Sequence, residues 1–347
     1  MANQEERKKI SGKQKLLIVL ACILAFLLIL LAGLYIWADS LLSGIDRLPA
    51  EETTLSQEQM DELLGDPDEL EFDPVIEQAE TILSTKNVIN ILLVGQDRRS
   101  EDGERMHSDA MILCTINTSK KTITMTSFMR DMWVYIPDYY NNRMNVPYML
   151  GGFDLLNKTL EYNFGVSADY NVEIDFDGFM QAIDTIGGID IELTAAEAKY
   201  LNQRGNWDIE ENMGWELTEG VNHLTGSQAL AYSRIRKIGD DFGRTNRQRT
   251  VLTELINKVK TLSATEVFRL IKQMIPMIST DMTNSEIIGL AVEMLPMLGD
   301  MEIVSQRIPM DGQFSFATKS SGEEVIDLSP KQFERNKQLL VAAMEEE

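Results

Sequence analysis

The sequence predicts an α/β fold: a three-layer domain with a central mixed β-sheet flanked by helices, preceded by a single transmembrane helix. Three observations lead there. Apolar runs of strand length alternate with segments whose apolar positions recur at helical spacing, and no internal repeat is present. The run 88–94 is apolar except for Asn90 and stops at Gly95, as expected of a strand buried on both faces. Residues 16–38 are 23 consecutive positions without a charge, long enough to cross a bilayer as one helix.

Taken in order, Arg7, Lys8, Lys9, Lys13 and Lys15 stand before the apolar span against Glu5 and Glu6. This places the amino terminus in the cytoplasm and everything after Ser40 outside. Tyr35, Ile36 and Trp37 close the span as an interfacial anchor would, where a cleaved signal peptide would be shorter and end in small residues. Residues 39–86 are acidic and contain Pro49, Pro67 and Pro74. They read as a stalk carrying short helical patterns at 59–64 and 76–83.

The strand 88–94 delivers Gly95-Gln96-Asp97-Arg98-Arg99 at its carboxyl end, where α/β sheets present ligand-binding groups. Segments 110–117 and 122–128, joined by 118–121, form a hairpin that finishes on Arg130-Asp131. A polar loop 139–145 and Gly151-Gly152 precede a helix over 153–163, followed by a strand at 170–174. A helix over 177–186 stops at Gly187-Gly188, and a strand follows at 189–193. After the loop 202–220 come helices at 227–232, 245–262, 264–278 and 285–298, the last capped near Thr283-Asn284. A strand at 301–308 and a helix from Ser329 end the chain.

With 55 acidic and 32 basic residues the net charge is -23, a surface that repels nucleic acid except at a local basic patch. An anchor that puts the arginines outside the cell argues further against a DNA-binding regulator, and no helix-turn-helix is recognisable. Two cysteines, Cys22 in the span and Cys114 in an apolar run, supply no disulfide framework. That suits a bacterium whose exported proteins do without one. Two histidines leave no His/Cys zinc site, and neither a nucleophile elbow nor a P-loop is present.

The charge reverses locally in 233–248, SRIRKIGDDFGRTNRQ. If the backbone is extended there, Arg234 and Arg236 leave on the same side. Arg244, Gln248 and Leu252 are spaced by four, as are Arg247 and Val251, so the polar groups stand above the apolar stripe of a helix and look inward. Near a helix amino terminus such a cluster suits a bound polyanion, most naturally a phosphate held by forked arginines and helix N–H groups. An Arg/Asp salt-bridge network is the competing reading. Asp97 and Asp109 both lie beside predicted strand ends, where a carboxylate pair forms a hard oxygen site suited to Mg²⁺ shared with phosphates. Each could equally cap a turn.

These residues together resemble the LytR-CpsA-Psr family of membrane-anchored cell-wall transferases. The resemblance covers roughly residues 87–260 and rests on Gly95-x-Asp97-Arg98-Arg99, Ser108-Asp109, Ser127-x-x-Arg130-Asp131, Asn145 with Gly151-Gly152, Gly178-Phe179 with Asp184-x-x-Gly187-Gly188, and Tyr232-x-Arg234-x-Arg236 followed by Gly239-Asp240-x-Phe242-Gly243-Arg244-x-x-Arg247-Gln248. It implies a phosphotransferase that takes a glycopolymer, such as teichoic acid or capsule, from an undecaprenyl-pyrophosphate carrier and joins it to peptidoglycan by a phosphodiester, at a muramic acid 6-hydroxyl. A non-catalytic polyprenyl-pyrophosphate binder and a hydrolase of the same substrate are the alternatives.

By the same resemblance Asp97 and Asp109 hold Mg²⁺. Arg99, Arg130, Arg234, Arg236, Arg244, Arg247 and Gln248 bind the pyrophosphate, with Asp241, Arg130, Arg234 and Arg244 catalytic. The isoprenoid tail needs an apolar tunnel between sheet and helices. The implied organisation is a cytoplasmic tail (1–15), a signal anchor (16–38), a stalk (39–86) and a catalytic domain (87–347). Three positions depart from the family pattern: His107 replaces an arginine, Met129 replaces a proline, and Arg143 stands where lysine is common.

Overall fold

The computed structural model describes residues 33, 35–47, 76–82, 85–96, 108–203, 214–319 and 322–345. The span 16–38 lies mostly outside them and the predicted helix 59–64 entirely so; among the described residues no helix is long and apolar enough to cross a membrane. In chain order the strands are β1 (Asp46–Arg47), β2 (Val88–Gln96), β3 (Ser108–Asn117), β4 (Thr122–Phe128), β5 (Trp133–Tyr135), β6 (Asn141–Arg143), β7 (Tyr170–Asp175), β8 (Ile189–Leu193), β9 (Gly220–Leu224), β10 (Ile278–Thr280), β11 (Glu302–Ile308), β12 (Ser315–Thr318) and β13 (Glu324–Asp327). The helices are α1 (Val146–Phe164), α2 (Phe176–Thr185), α3 (Ala195–Leu201), α4 (Gly226–Ser233), α5 (Asp240–Lys260), α6 (Ala264–Met274), α7 (Asn284–Met294) and α8 (Pro330–Met344).

Seven strands form a mixed sheet in the order β1-β10-β7-β2-β3-β4-β11. β2 runs parallel to β7 and antiparallel to β3; β3 is antiparallel to β4, and β4 is parallel to β11. The ends of β2, β4, β7 and β11 and the start of β3 therefore meet at one edge, which gathers Gly95, Asp109, Arg130 and Asp175. One sheet face is closed by α1 and α8 over Leu92, Val94, Met111, Leu113 and Phe128. Asn90, the polar interruption in the first apolar run, belongs to this closed face and is matched there by Thr115, whose hydroxyl donates to its side-chain oxygen at 2.8 Å.

The other face carries α5 and the segment from α7 to Met301, over Ile112, Cys114, Ile116, Ile123 and Met125. It is only partly covered: Ile89, Ile91 and Leu93 of the central strand are half-buried, and α7 has no buried residue. The expectation of a strand buried on both faces is thus corrected to burial on one. Cys114 lies within this face, where burial pushes its thiol up to about 12, so it is inert as a nucleophile.

Several boundaries moved for local reasons. The helix expected to begin after Gly151-Gly152 instead runs through them with a kink, starting at Val146 with Pro147 in its first turn. Residues 76–82, expected to be helical, lie non-helical against α1, with Ala79 N–H donating to Tyr162 O and Ile82 N–H to Gly165 O. Part of the expected stalk also joins the sheet as β1, parallel to β10. The strand at 189–193 pairs with β9 in a separate ribbon rather than in the main sheet.

Candidate active site

Helix α5 carries most of the site. Gly239 at its N-cap and Asp240 after it both take positive φ, a tight entry that lets the first turn begin directly on Asp240-Asp241. Two acidic residues at the positive end of the helix dipole are well placed, and Asp241 reaches the next turn to pair with Arg244 Nη2 at 2.9 Å. Gly243 is needed for close approach: a Cβ there would meet Ile238 O at 2.9 Å and the Arg247 guanidinium at 3.4 Å.

Asp109, at the start of β3, is the hub. Its Oδ1 lies 3.2 Å from Arg130 Nη1 and 3.8 Å from both Arg236 Nη2 and Arg244 Nη1. Arg130 follows β4 and also faces Asp241 at 3.5 Å and Asp131 at 3.6 Å. Two strand ends, the loop after α4 and one helix start therefore supply three guanidinium groups interleaved with three carboxylates.

That network does not compensate its own burial. The Nε atoms of Arg130 and Arg244 are buried without a hydrogen-bond partner. Burial raises the Asp241 carboxyl above the usual aspartate range in spite of Arg244 and Arg130 beside it. Burial likewise lowers Arg244 in spite of Asp241, with Arg130 and Arg236 adding repulsion. Both members of the pair are pushed toward their neutral forms, so burial offsets much of the attraction between them.

Beside the network opens a pocket of about 80 Å³. Its lining combines the charged and polar Asp109, Asp175, Ser233, Arg234, Arg236, Arg244 and Gln248 with the apolar Ile174, Phe176, Phe179 and Leu230. The structure thus brings together Asp109, Arg130, Arg236, Asp241, Arg244 and Gln248 as the sequence predicts. Arg234 reaches the same pocket by a different route: it caps α4 in a helical conformation rather than an extended one, and its guanidinium stacks 4.6 Å from the Phe176 ring. Asp97 and Arg99 lie outside the described residues, as does His107.

Arg247 is a correction. Its Nε donates to Glu197 Oε1 at 2.7 Å, Nη1 to Ile235 O at 3.1 Å and Nη2 to Ile238 O at 2.6 Å. All three nitrogens are spent bracing the turn before α5, so Arg247 holds the site's frame and turns away from the pocket. Spacing by four placed it correctly inside; what it met there depended on α3, a helix the sequence reading did not find. Arg143 likewise binds Glu324 O and Glu323 and ties down the β12–β13 hairpin. Met129 is fully buried and its sulfur accepts from the Thr245 hydroxyl at 3.2 Å, which fixes the Arg130 loop to α5 where a proline would have stiffened it covalently.

Phe176 and Leu230 were not singled out from the sequence, and Phe179 and Asp131 stood there only as motif positions without a role. The rule that strand ends deliver functional groups would have found Phe176, the residue immediately after β7.

The model of the LytR_cpsA_psr family matches residues 50–340. The polyisoprenyl-teichoic acid--peptidoglycan teichoic acid transferase TagT of Bacillus subtilis (strain 168) is 30% identical over 265 residues, 75% of this chain and 75% of its own length. Among solved structures, TagT bound to LIIa-WTA has a TM-score of 0.62 at 24% identity, covering 78% of this chain and 96% of the other. The YwtF (TagT) structure with bound octaprenyl pyrophosphate lipid has a TM-score of 0.58 at 23% identity, covering 77% and 96%. These structural likenesses show a common fold.

Proposed function

We propose, for a chain that belongs to the LytR-CpsA-Psr family and is a transferase of that family, that it moves a glycopolymer from an undecaprenyl-pyrophosphate carrier onto peptidoglycan. One observation carries this reading. A ring of arginines around Asp109 borders a pocket whose lining combines charged and apolar residues, which is the complement of an amphiphile with a pyrophosphate head and a hydrocarbon tail. The half-covered sheet face behind the pocket, lined by Ile89, Ile91, Leu93, Leu252 and Ile256, offers the tail its apolar path.

The acceptor hydroxyl oxygen attacks the phosphorus that bears the glycopolymer. The P–O bond to the polyprenyl phosphate breaks, and polyprenyl phosphate departs with the bridging oxygen and its electron pair. Asp241, whose carboxyl is held above its usual range by burial, takes the hydroxyl proton. Arg130, Arg236 and Arg244 align the pyrophosphate and meet the charge that gathers on its oxygens, while Arg234 and Gln248 hold its outer side. Asp109 offers a hard carboxylate oxygen at the phosphate position, a donor that fits Mg²⁺. With Asp97 it would hold that ion, which would supply further neutralisation of phosphate charge.

The span 16–38 anchors the chain in the membrane with its amino terminus in the cytoplasm and the domain from 87 onward outside. The catalytic unit then works at the surface where lipid-linked polymer and peptidoglycan meet.

The test is transfer from a purified lipid-linked glycopolymer to peptidoglycan by the full chain in detergent. Asp109→Asn, Arg244→Ala and wild type would be compared, with released polyprenyl phosphate and polymer-bearing peptidoglycan both quantified. Loss of a positioned charge at the phosphate lowers turnover by roughly 10²–10³-fold. Polymer released to water at the wild-type transfer rate would make the protein a hydrolase, and lipid binding without either product would make it a carrier.

A further inference from the structure

Outside the pocket, and beginning next to Asp241 in the chain, three phenylalanines form an aromatic face. Phe242, next in the chain after Asp241, stacks on Phe314 with centroids 5.0 Å apart and planes inclined by 25°. Phe316 meets Phe314 edge-on at 5.5 Å and Phe242 at 6.3 Å, and it is 70% exposed. The hairpin β12–β13 that carries Phe316 is joined to the catalytic loop, because Ile326 N–H donates to Asp131 O at 2.8 Å. The face is therefore continuous with the transfer site and fixed relative to it.

Behind the aromatic face lies positive charge that the phosphoryl-transfer machinery leaves unused. The Arg307 guanidinium covers the Phe242 ring at 4.4 Å and pairs with Asp311, whose side chain is almost fully exposed. Arg249, one turn along α5 from Thr245, is 93% buried by its 7% exposure. Its Nε donates to Ser305 Oγ at 2.9 Å and Nη2 to Asn246 Oδ1 at 3.1 Å, but Nη1 has no hydrogen-bond partner and, among the described residues, no carboxylate pairs with it. Burial, with Arg307 as a like-charged neighbour, lowers Arg249 to about 10. Of these two neighbouring guanidinium groups only Arg307 pairs with a carboxylate, the exposed Asp311, which leaves a local positive excess in a chain of net charge -23.

From this juxtaposition we infer that the Phe242–Phe314–Phe316 face, backed by Arg307 and Arg249, is the acceptor subsite: it binds a pyranose ring of an acidic glycan strand and directs a hydroxyl toward Asp241. The inference rests on the transferase reading and names where its second substrate sits. Exposed phenyl faces stack against the C–H face of a sugar, because the ring's negative face attracts the slightly positive hydrogens. Arg307, with Arg249 buried behind it, gives the face a positive field that favours acidic substituents over a neutral glycan. The donor's apolar tail is assigned to the pocket along Phe176 and Phe179, which shares no lining residue with the aromatic face, so the two substrates have separate places.

The experiment uses the full chain in detergent with a soluble, uncrosslinked N-acetylglucosaminyl–N-acetylmuramyl glycan carrying acidic peptide stems. Phe316→Ala is the main variant, since a side chain so exposed can be removed without unfolding. Phe316→Trp is the conservative rescue, and Arg307→Gln tests the charge. Phe316→Ala should raise the acceptor KM about tenfold, roughly 1.4 kcal/mol, with the octaprenyl pyrophosphate Kd and kcat at saturating acceptor unchanged. Phe316→Trp should restore KM. Arg307→Gln should weaken the acidic glycan but not N,N′-diacetylchitobiose.

An unchanged acceptor KM in Phe316→Ala, alongside normal transfer by wild type, would overturn the subsite and leave the transferase reading standing. A rise in the donor KM instead would assign the face to the donor's sugars and overturn it equally. Should wild type not transfer at all, direct titration of the glycan decides: a tenfold weaker Kd in Phe316→Ala upholds the subsite, and an equal Kd sinks it.

Discussion

On one face of the central sheet Leu92, Val94, Met111 and Leu113 disappear completely beneath Leu156, Leu160 and Phe164 of α1 and Phe333 and Leu340 of α8. On the other, Ile89, Ile91 and Leu93 of the same strand remain half-buried beneath Leu252 and Ile256 of α5. Both faces are aliphatic, so composition does not separate them; completeness of cover does. The closed face spends its apolar surface on folding. The open face keeps apolar surface that the described residues leave partly exposed. With the lipid tail on that face, as proposed, stability and binding divide between two sides of a single strand.

The largest effects that can break this comparison come from matched truncations. Leu156→Ala, in the closed face and fully buried, is expected to lower unfolding free energy by about 2–5 kcal/mol in a denaturant titration, with octaprenyl pyrophosphate binding kept in the folded fraction. Ile91→Ala, in the open face, should cost about 1 kcal/mol or less and instead weaken lipid binding. If the two variants lost stability equally, the open face would be ordinary core.

A smaller effect sharpens the comparison at the periphery. In the β8–β9 ribbon, His223 Nδ1 lies 2.6 Å from Asp190 Oδ1 and Nε2 lies 2.6 Å from Gly187 O, two acceptors that favour the doubly protonated ring. The Asp190 hydrogen bond first, and the Gly187 carbonyl second, raise its pKa above the usual 6.5. Gly188, at φ +91°, is required beside it, since a Cβ would meet His223 Nε2 at 2.6 Å. A raised folded-state pKa gives stability that is fully present below 6.5 and lost as the pH rises through the folded value. Wild type should therefore melt lower as the pH rises through that window, and His223→Gln should show a flatter profile. A profile unchanged by the substitution would remove His223 as the cause.

Much of the fold was legible because period and punctuation agreed. The hairpin 110–117/122–128 and the strand 301–308 needed no tertiary information, and Thr283 caps α7 by the capping box that its spacing to Glu286 announces. What escaped was structure made by distant partners. β5–β6 and β12–β13 are too short for periodicity to register, and α3 fell between a strand and a loop; residues 76–82 kept a helical pattern yet exchange hydrogen bonds with α1. In the site, residue types and spacing singled out Asp109, Arg236, Arg244 and Gln248, the family resemblance added Asp241, and the structure sets these five near one another. Spacing could not tell Arg244 from Arg247, three positions on, because both look inward and only the partner decides: Asp241 and Asp109 for one, Glu197 and two carbonyls for the other.

That last contrast gives the most direct test of the central claim, that the arginine ring binds a pyrophosphate lipid rather than balancing charge. Thermal melts of wild type, Arg244→Ala and Arg247→Ala would be recorded with and without octaprenyl pyrophosphate and Mg²⁺. Ligand bound to the folded state alone stabilises it by about 2.7 kcal/mol at a hundredfold excess over Kd. Wild type should show that rise. Arg247→Ala should melt lower without ligand, because Glu197 is left buried and unpaired, yet still rise when the lipid is added. Arg244→Ala should lose most of the rise. An equal ligand-induced rise in wild type and Arg244→Ala would contradict the account.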